Sequence, residues 1–339
     1  MGCAGYSRQP LLLEEYRHAL GQRTPERSGI VDAVNDADYQ PGNGLSLAEA
    51  ELLALYLNPD LRAARAAAGV PEAAAQFAGL WDDPEVGFDA LRILDSVDEP
   101  WIYGASLSFT IPISGRLSIA RDAAAAEARV ALIEAWSAEQ TALLSLRTAW
   151  IDWKEASELL AVSRDLHERV TELVAITNQR EALGELITAE AVAFRLAEAR
   201  LAMDVDRLSA SRQQARIELH SLLGLLPEAD VTFVATDSAI TPQPSGDLGS
   251  SPQVLIAGAR YEGAEQRLRL EVRKQYPDLT IGPLFENEEG LDRVGLGFSL
   301  PIPLLNRNRQ GIAEAKAARD HARAEWERAV EYAISKLAR

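Results

Sequence analysis

The sequence predicts a mainly α-helical fold with short β segments, organised as a duplicated unit of helix, strand pair and long helical hairpin. Three observations predict it. Pro59 and Pro84 recur as Pro252 and Pro277, both 193 residues further on (252 − 59 and 277 − 84). Each later proline is followed by two alternating apolar segments, and these close as Leu107-Ser108-Phe109-Thr110-Ile111-Pro112-Ile113 and Leu296-Gly297-Phe298-Ser299-Leu300-Pro301-Ile302. Long stretches without glycine or proline follow. A repeat at fixed period governs architecture, so it is read before any single element.

Residues 1–44 are polar and carry Pro10, Pro25, Pro41, Gly42 and Gly44, which predicts an extended arm with a short helix around Leu11–Leu20. The first repeat occupies 45–224. Ser46 and Glu49 have capping-box spacing, so a helix is expected from near Leu47 toward Ala68. Pro71 is expected to kink it or to open a second helix ending near Leu80. Strands are expected within about 85–113. Trp101, Tyr103, Ala105, Leu107, Phe109, Ile111 and Ile113 point one way, and the small residues Gly104, Ser106, Ser108 and Thr110 point the other. Such strands meet something apolar on one face, either a protein core or lipid.

Arg116 to Leu183 contains no glycine or proline, and a helix of that length reaches on the order of 100 Å. Leu143, Leu144, Leu146, Trp150, Ile151, Trp153, Leu159, Leu160, Val162, Leu166, Val170, Leu173, Val174 and Ile176 fall mostly three or four apart, the spacing of a coiled-coil seam. Gly184-Glu185-Leu186-Ile187-Thr188 reads as a hairpin tip, with Thr188 placed to cap the return helix that runs to Leu223. Residues 225–251 read as an irregular connector. The second repeat, 252–339, has strands within about 278–303, where Val294, Leu296, Phe298, Leu300 and Ile302 alternate with Arg293, Gly295, Gly297, Ser299 and Pro301. An equal second copy would reach about residue 417, so roughly 80 residues of it are expected beyond Arg339.

Composition narrows the function. A net charge of −17 opposes nucleic-acid binding, which requires a basic footprint. No apolar run approaches the length of a transmembrane helix. His18, His167, His220 and His321 lie far apart with no partner at ligand spacing, and each reads as a solvated helix residue. Cys3 is the only cysteine. Gly295-Leu296-Gly297 lacks the further glycine of a dinucleotide site. No catalytic residue, metal ligand or cofactor is expected.

Helix, strand pair and long hairpin, duplicated in one chain, resembles the TolC family of outer-membrane efflux factors. Asn58-Pro59-Asp60-Leu61-Arg62-Ala63-Ala64-Arg65 is similar to that family's opening helix. Leu300-Pro301-Ile302-Pro303 with Asn306-Arg307-Asn308-Arg309-Gln310-Gly311 is similar to its second strand-to-helix turn, in a form that leans to the heavy-metal branch. Gly184 before Ile187-Thr188 resembles its hairpin tip. The resemblance covers about 46–339 and implies a homotrimer with a shared outer-membrane β-barrel and a periplasmic α-helical barrel. It implies a passive conduit for substrates, with an inner-membrane efflux pump and a periplasmic adaptor protein as partners. Gly184, Glu185, Leu186, Ile187 and Thr188 would contact the adaptor. Trp101, Tyr103, Leu107, Phe109, Ile111, Leu296, Phe298 and Leu300 would face outer-membrane lipid. Met1-Gly2-Cys3-Ala4-Gly5-Tyr6 resembles the start of a mature bacterial lipoprotein, with Cys3 as the lipidated residue, although an ordinary thiol fits too. In the family the segment expected beyond Arg339 supplies the second tip and much of the constriction. Two other readings remain open at this point: a soluble coiled-coil scaffold whose strands pack on helices, and a non-functional truncated relative of the channel.

Overall fold

The computed structural model describes residues 5–26, 39, 41–94, 100–235, 249, 251–288 and 290–337. In chain order the helices and strands are α1 (Leu13–Gly21), α2 (Leu47–Leu57), α3 (Pro59–Phe77), β1 (Glu85–Arg92), β2 (Trp101–Ile111), α4 (Arg116–Ala182), α5 (Thr188–Leu222), α6 (Pro252–Arg273), β3 (Leu279–Glu288), β4 (Leu291–Ser299) and α7 (Arg309–Leu337). Helix, strand pair and long helix thus occur twice, as α3-β1-β2-α4 and α6-β3-β4-α7. Two compact units form, one from residues 1–63 and 138–241, the other from 64–137 and 242–339.

The first unit has an apolar core of Leu45, Leu53, Leu57, Leu146, Trp150, Trp153, Leu219, Leu223 and Phe233, among others. Trp150, Trp153 and Phe233 meet pairwise with ring centroids 5.5 Å apart and tilted or edge-on planes, the arrangement the aromatic quadrupole prefers. The core recruits residues the sequence assigns to an irregular connector. Leu45 N–H donates to the Thr232 carbonyl at 2.8 Å and Val234 N–H to the Leu45 carbonyl at 3.0 Å, a short parallel bridge that seats Phe233. The expected capping box forms: Glu49 N–H donates to Ser46 Oγ, and Ser46 N–H to Glu49 Oε2.

The helix expected from Leu47 toward Ala68 is divided at Asn58, which lies in extended backbone (φ −52°, ψ 126°). Asn58 is 2% exposed. Its Oδ1 accepts from Leu61 N–H at 3.0 Å and so caps α3, and its Nδ2 donates to the Leu222 carbonyl at 2.8 Å, satisfying the last turn of α5. Pro59 then stands at the first helical position, where its missing N–H costs nothing. Pro71 neither ends nor restarts a helix: it lies inside α3. The carbonyl it leaves free is that of Ala67, which is exposed and so open to water. Gly224 (φ +64°) closes α5, its N–H donating to Ser221 and that of Leu225 to His220. A Cβ at Gly224 would collide with the Leu57 carbonyl, so glycine is required twice over.

The second unit holds a four-stranded antiparallel sheet in the order β1-β2-β3-β4. Pairs such as Gly87↔Ser106, Ala105↔Phe285 and Phe285↔Val294 set the register. β4 stops at Ser299 and β2 at Ile111, so Leu300, Ile302 and Ile113 lie outside the strands. Pro112, Pro301 and Pro303 explain this, because each removes a ladder donor. Close to the sheet, Arg116 at the start of α4 donates to Asp278 Oδ2 at 2.9 Å and to Asp82 Oδ2 at 2.8 Å. Those two aspartates precede β3 and β1, so one guanidinium ties equivalent ends of both strand pairs to a helix. The helices of this unit pack through small residues and exchange ion pairs: Arg260–Glu134 at 2.6 Å and Arg267–Glu127 at 2.8 Å join α6 to α4. Exposed pairs of this kind contribute about 0.2–1 kcal/mol each.

His220 is a correction to the sequence reading. It is fully buried. Its Nδ1 lies 3.0 Å from the Leu226 carbonyl and 3.1 Å from that of Pro227, so the nitrogen carries the proton and donates. Burial, and then the Arg216 charge, hold its pKa below the ordinary histidine value.

Two outcomes are expected. Asn58→Ala, which frees the α3 N-terminus and leaves the Leu222 carbonyl unmatched, should cost about 1–3 kcal/mol in urea unfolding. Because folding depresses the His220 pKa, the native state binds fewer protons than the unfolded chain. The neutral ring's contribution is therefore present above pH 6.5 and lost as pH falls below it. Urea midpoints taken at descending pH should drop more steeply for the parent chain than for His220→Phe.

Candidate functional site

Two surfaces carry the residues singled out in the sequence. The first is one face of the sheet. The strand register places Val86 and Phe88 of β1, Trp101, Tyr103, Ala105, Leu107, Phe109 and Ile111 of β2, Leu279, Ile281 and Phe285 of β3, and Val294, Leu296 and Phe298 of β4 on it. Hardly any of this face is covered. Phe88 and Phe298 are each 81% exposed, Leu296 is 75% and Tyr103 53%, while Leu107 and Ile111 are half-buried. Trp101 and Tyr103 stack with centroids 6.3 Å apart at the strand end remote from α4, and the Arg92 guanidinium lies over Trp101. Leu300, expected among the strand residues, is exposed but follows the end of β4, for the proline reason given above.

The opposite face carries small and polar residues, Gly87, Gly104, Ser106, Ser108, Thr110, Thr280, Gly282, Gly295 and Gly297, together with Leu91, Ile102, Leu284 and Leu291. Gly87 leaves room for the Ser106 hydroxyl, and Gly104 lets the Asp89 carboxylate lie across it. Thr110 and Thr280 hydroxyls are 3.4 Å apart across the β2–β3 ladder. Glu85, Asp89, Glu286 and Glu288 share this face with Arg293, so its net charge is negative. Among the described residues β1 and β4 have no strand partner along their outer edges.

The second surface is the turn between α4 and α5. Gly184 has φ +72°, and its N–H donates to Glu181 while that of Glu185 donates to Arg180, which ends α4 cleanly. Leu183 and Ile187 are 74% and 64% exposed, Gly184, Glu185 and Thr188 are exposed and Leu186 is half-buried. Thr188 does not cap α5. Ile187 is the N-cap and supplies no side-chain bond, and Thr188 is the first helical residue. The Thr188 hydroxyl is spent instead on Glu181 across the turn. Arg195 completes a clamp that sequence spacing does not reveal. Its Nη1 donates to Asn178 Oδ1 at 2.8 Å and Glu181 Oε2 at 3.0 Å. Arg195 first, and Thr188 second, lower the Glu181 pKa.

Along α4 the single expected seam resolves into two stripes. Leu146, Trp150, Trp153, Leu160 and Val174 are buried, whereas Leu144, Ile151, Leu159, Val162, Leu166, Leu173 and Ile176 are exposed. The exposed stripe repeats at sevens and eights or at threes and fours, the period of a helix that pairs along its length. Among the described residues no three of His, Cys, Asp and Glu come together as a metal site, and no helix is long and apolar enough to cross a membrane. Cys3 lies outside the described residues.

Comparison with known proteins bears on the family and the fold. Residues 52–225 match the family described as Outer membrane efflux protein. The cobalt-zinc-cadmium resistance protein CzcC of Cupriavidus metallidurans is 26% identical over 180 residues, which are 51% of this chain and 42% of CzcC. The chain thus spans about two-fifths of that relative's length. The fold is similar to that of the outer membrane protein VceC of Vibrio cholerae, with TM-score 0.70 and 19% identity over 88% of this chain and 78% of VceC. It is similar also to the Campylobacter jejuni CmeC outer membrane channel, with TM-score 0.67 and 16% identity over 99% of this chain and 76% of CmeC. With half of its sequence matched by that family, the chain belongs to the outer membrane efflux protein family.

Proposed function

We propose that the chain is a subunit of an outer-membrane channel in a tripartite efflux system, a passive conduit that performs no chemistry. Three copies would each give four strands to one closed barrel and their long helices to a periplasmic tunnel. An inner-membrane pump would deliver substrate through a periplasmic adaptor that docks on Gly184–Thr188. The observation that carries this reading is the exposed apolar sheet face bounded by two unpaired edges. In lipid each unpaired backbone group costs several kcal/mol, so four strands are viable there only if their edges close on other copies. The exposed stripe of α4 supports side-by-side helix pairing between copies. The glycines, hydroxyls and excess of carboxylates on the opposite face suit a wet lumen that favours cations. CzcC's description as a cobalt-zinc-cadmium resistance protein supports heavy-metal cations as the cargo class. Cys3 would carry a lipid that adds a second membrane attachment. A soluble scaffold would require the apolar strand face to meet helices, and its exposure weighs against that.

Reconstitution tests the reading. The purified chain in planar bilayers should give discrete, cation-preferring conductance steps and should cross-link as a trimer. A chain that carbonate washes off vesicles and that conducts nothing would sink it. At the tip, Ile187→Glu places a charge on an exposed apolar contact far from either helix core. Adaptor binding should weaken at least about tenfold, or about 1.4 kcal/mol, with helix content and melting temperature unchanged.

A further inference from the structure

The two strand-to-helix junctions are not equal. From Pro112 to Arg116 the first takes four residues, and from Pro301 to Arg309 the second takes eight. The flanks on either side still correspond, since Gly115 (φ +69°) matches Asn308 (φ +51°) 193 residues later. Four extra residues in the second junction therefore include Leu304 and Leu305, which are 69% and 93% exposed.

This loop is not slack. Leu304 N–H donates to the Ile302 carbonyl at 2.8 Å, and Arg309 N–H to the Asn306 carbonyl at 3.1 Å. Arg307 Nε donates to the Pro303 carbonyl at 3.1 Å. Asn308 Nδ2 binds both the backbone carbonyl of Glu271, at 2.9 Å, and its carboxylate, at 2.7 Å, which pins the loop to α6. A loop braced at both ends thus presents two leucines that are mostly exposed. Beside them stand Arg307 and Arg309, neither of which meets a carboxylate among the described residues, and the stretch 300–311 contains no acidic residue. Apolar side chains flanked by unpaired cations, directly following an apolar sheet face, match a leaflet boundary, where acyl chains lie beside phosphates.

We infer that the Leu304-Leu305 loop is a membrane-interface anchor, with its leucines in the acyl region of the leaflet on the helical side of the barrel and Arg307 on phospholipid phosphate. It rests on the barrel reading above, and adds a lipid contact that lies outside the strands and occurs once per chain rather than twice. The anchor would fix how deep the barrel sits, because two leucines resist withdrawal and two arginines resist further entry.

The test uses the full chain with Cys3→Ser, carrying a nitroxide at Leu305→Cys or, separately, at Phe298→Cys, in vesicles of phosphatidylethanolamine and phosphatidylglycerol. Collision rates with oxygen and with a water-soluble nickel chelate report depth. The expected result is lipid exposure at both positions, shallow for 305 and deeper for 298. A label at 305 in water with 298 in lipid overturns the anchor and leaves the barrel reading standing. Both labels in water remove the barrel reading and the anchor with it. A 305 label shielded from both reagents means that protein, such as a second copy, covers the loop, and overturns the anchor. Arg307→Gln should let the 305 label sit deeper, because one of the charges that resist further entry is gone, and an unchanged depth would overturn the phosphate contact.

Discussion

A β-sheet that turns an apolar face outward and leaves two edges open sets the terms for everything else in this chain. Backbone donors and acceptors along β1 and β4 are satisfied by water only if the edges stay wet, and the apolar face is stable only if it stays dry. Both conditions cannot hold for a lone subunit in lipid or in water. The closed ring proposed above would meet them together, which would make a single subunit an incomplete solution to its own burial problem. The glycine, serine and threonine of the opposite face suit that proposed ring, because a narrow lumen would have room for them where bulkier residues would fill it.

The helices obey a different rule. Alanine and glycine bring α6 and α4 close, and ion pairs on the outside of that contact fix which faces meet without burying charge. The aromatic residues are concentrated where width is available, in the Trp150–Trp153–Phe233 cluster and on the sheet. Asn58 is where helical register changes. One buried amide serves the start of one helix and the end of another, so the fold there depends on a single side chain.

Much of this was legible in the sequence, and what was not has physical reasons. The 193-residue offset located both strand pairs, and alternation assigned their faces, because a period of two admits only two orientations. Strand ends were overrun at Leu300 and Ile302 because alternation continued past prolines that cannot pair. The break at Asn58 was marked by the Asn58-Pro59 pair that opens the repeat, but apolar spacing on both sides carried the expected helix from Leu47 past it. Thr188 looked like a cap because residue type and position agreed, yet a carboxylate across the turn competed for its hydroxyl. His220 was taken as solvated because burial depends on Phe233 and the 226–227 carbonyls, which approach only after the chain folds back. The Arg195–Glu181 clamp spans a helix turn in space and no motif in sequence.

Gly282 and Pro283 sit in β3, on the seam where the two repeats pair. Gly282 approaches the Leu107 carbonyl so closely that a Cβ would collide with it, and Pro283 has no donor to offer β2. Register is recorded at Ser106↔Leu284 and resumes at Phe109↔Ile281, with nothing between. The middle of the sheet is therefore its most weakly stitched line, while each repeat's own strand pair is fully laddered. An interruption with continuous ladder on either side is where a sheet takes up extra local twist, so the curvature a barrel would need has its natural place on the seam between the repeats. Duplication thereby supplies, along with a second pair of strands, the place at which a flat ribbon acquires curvature.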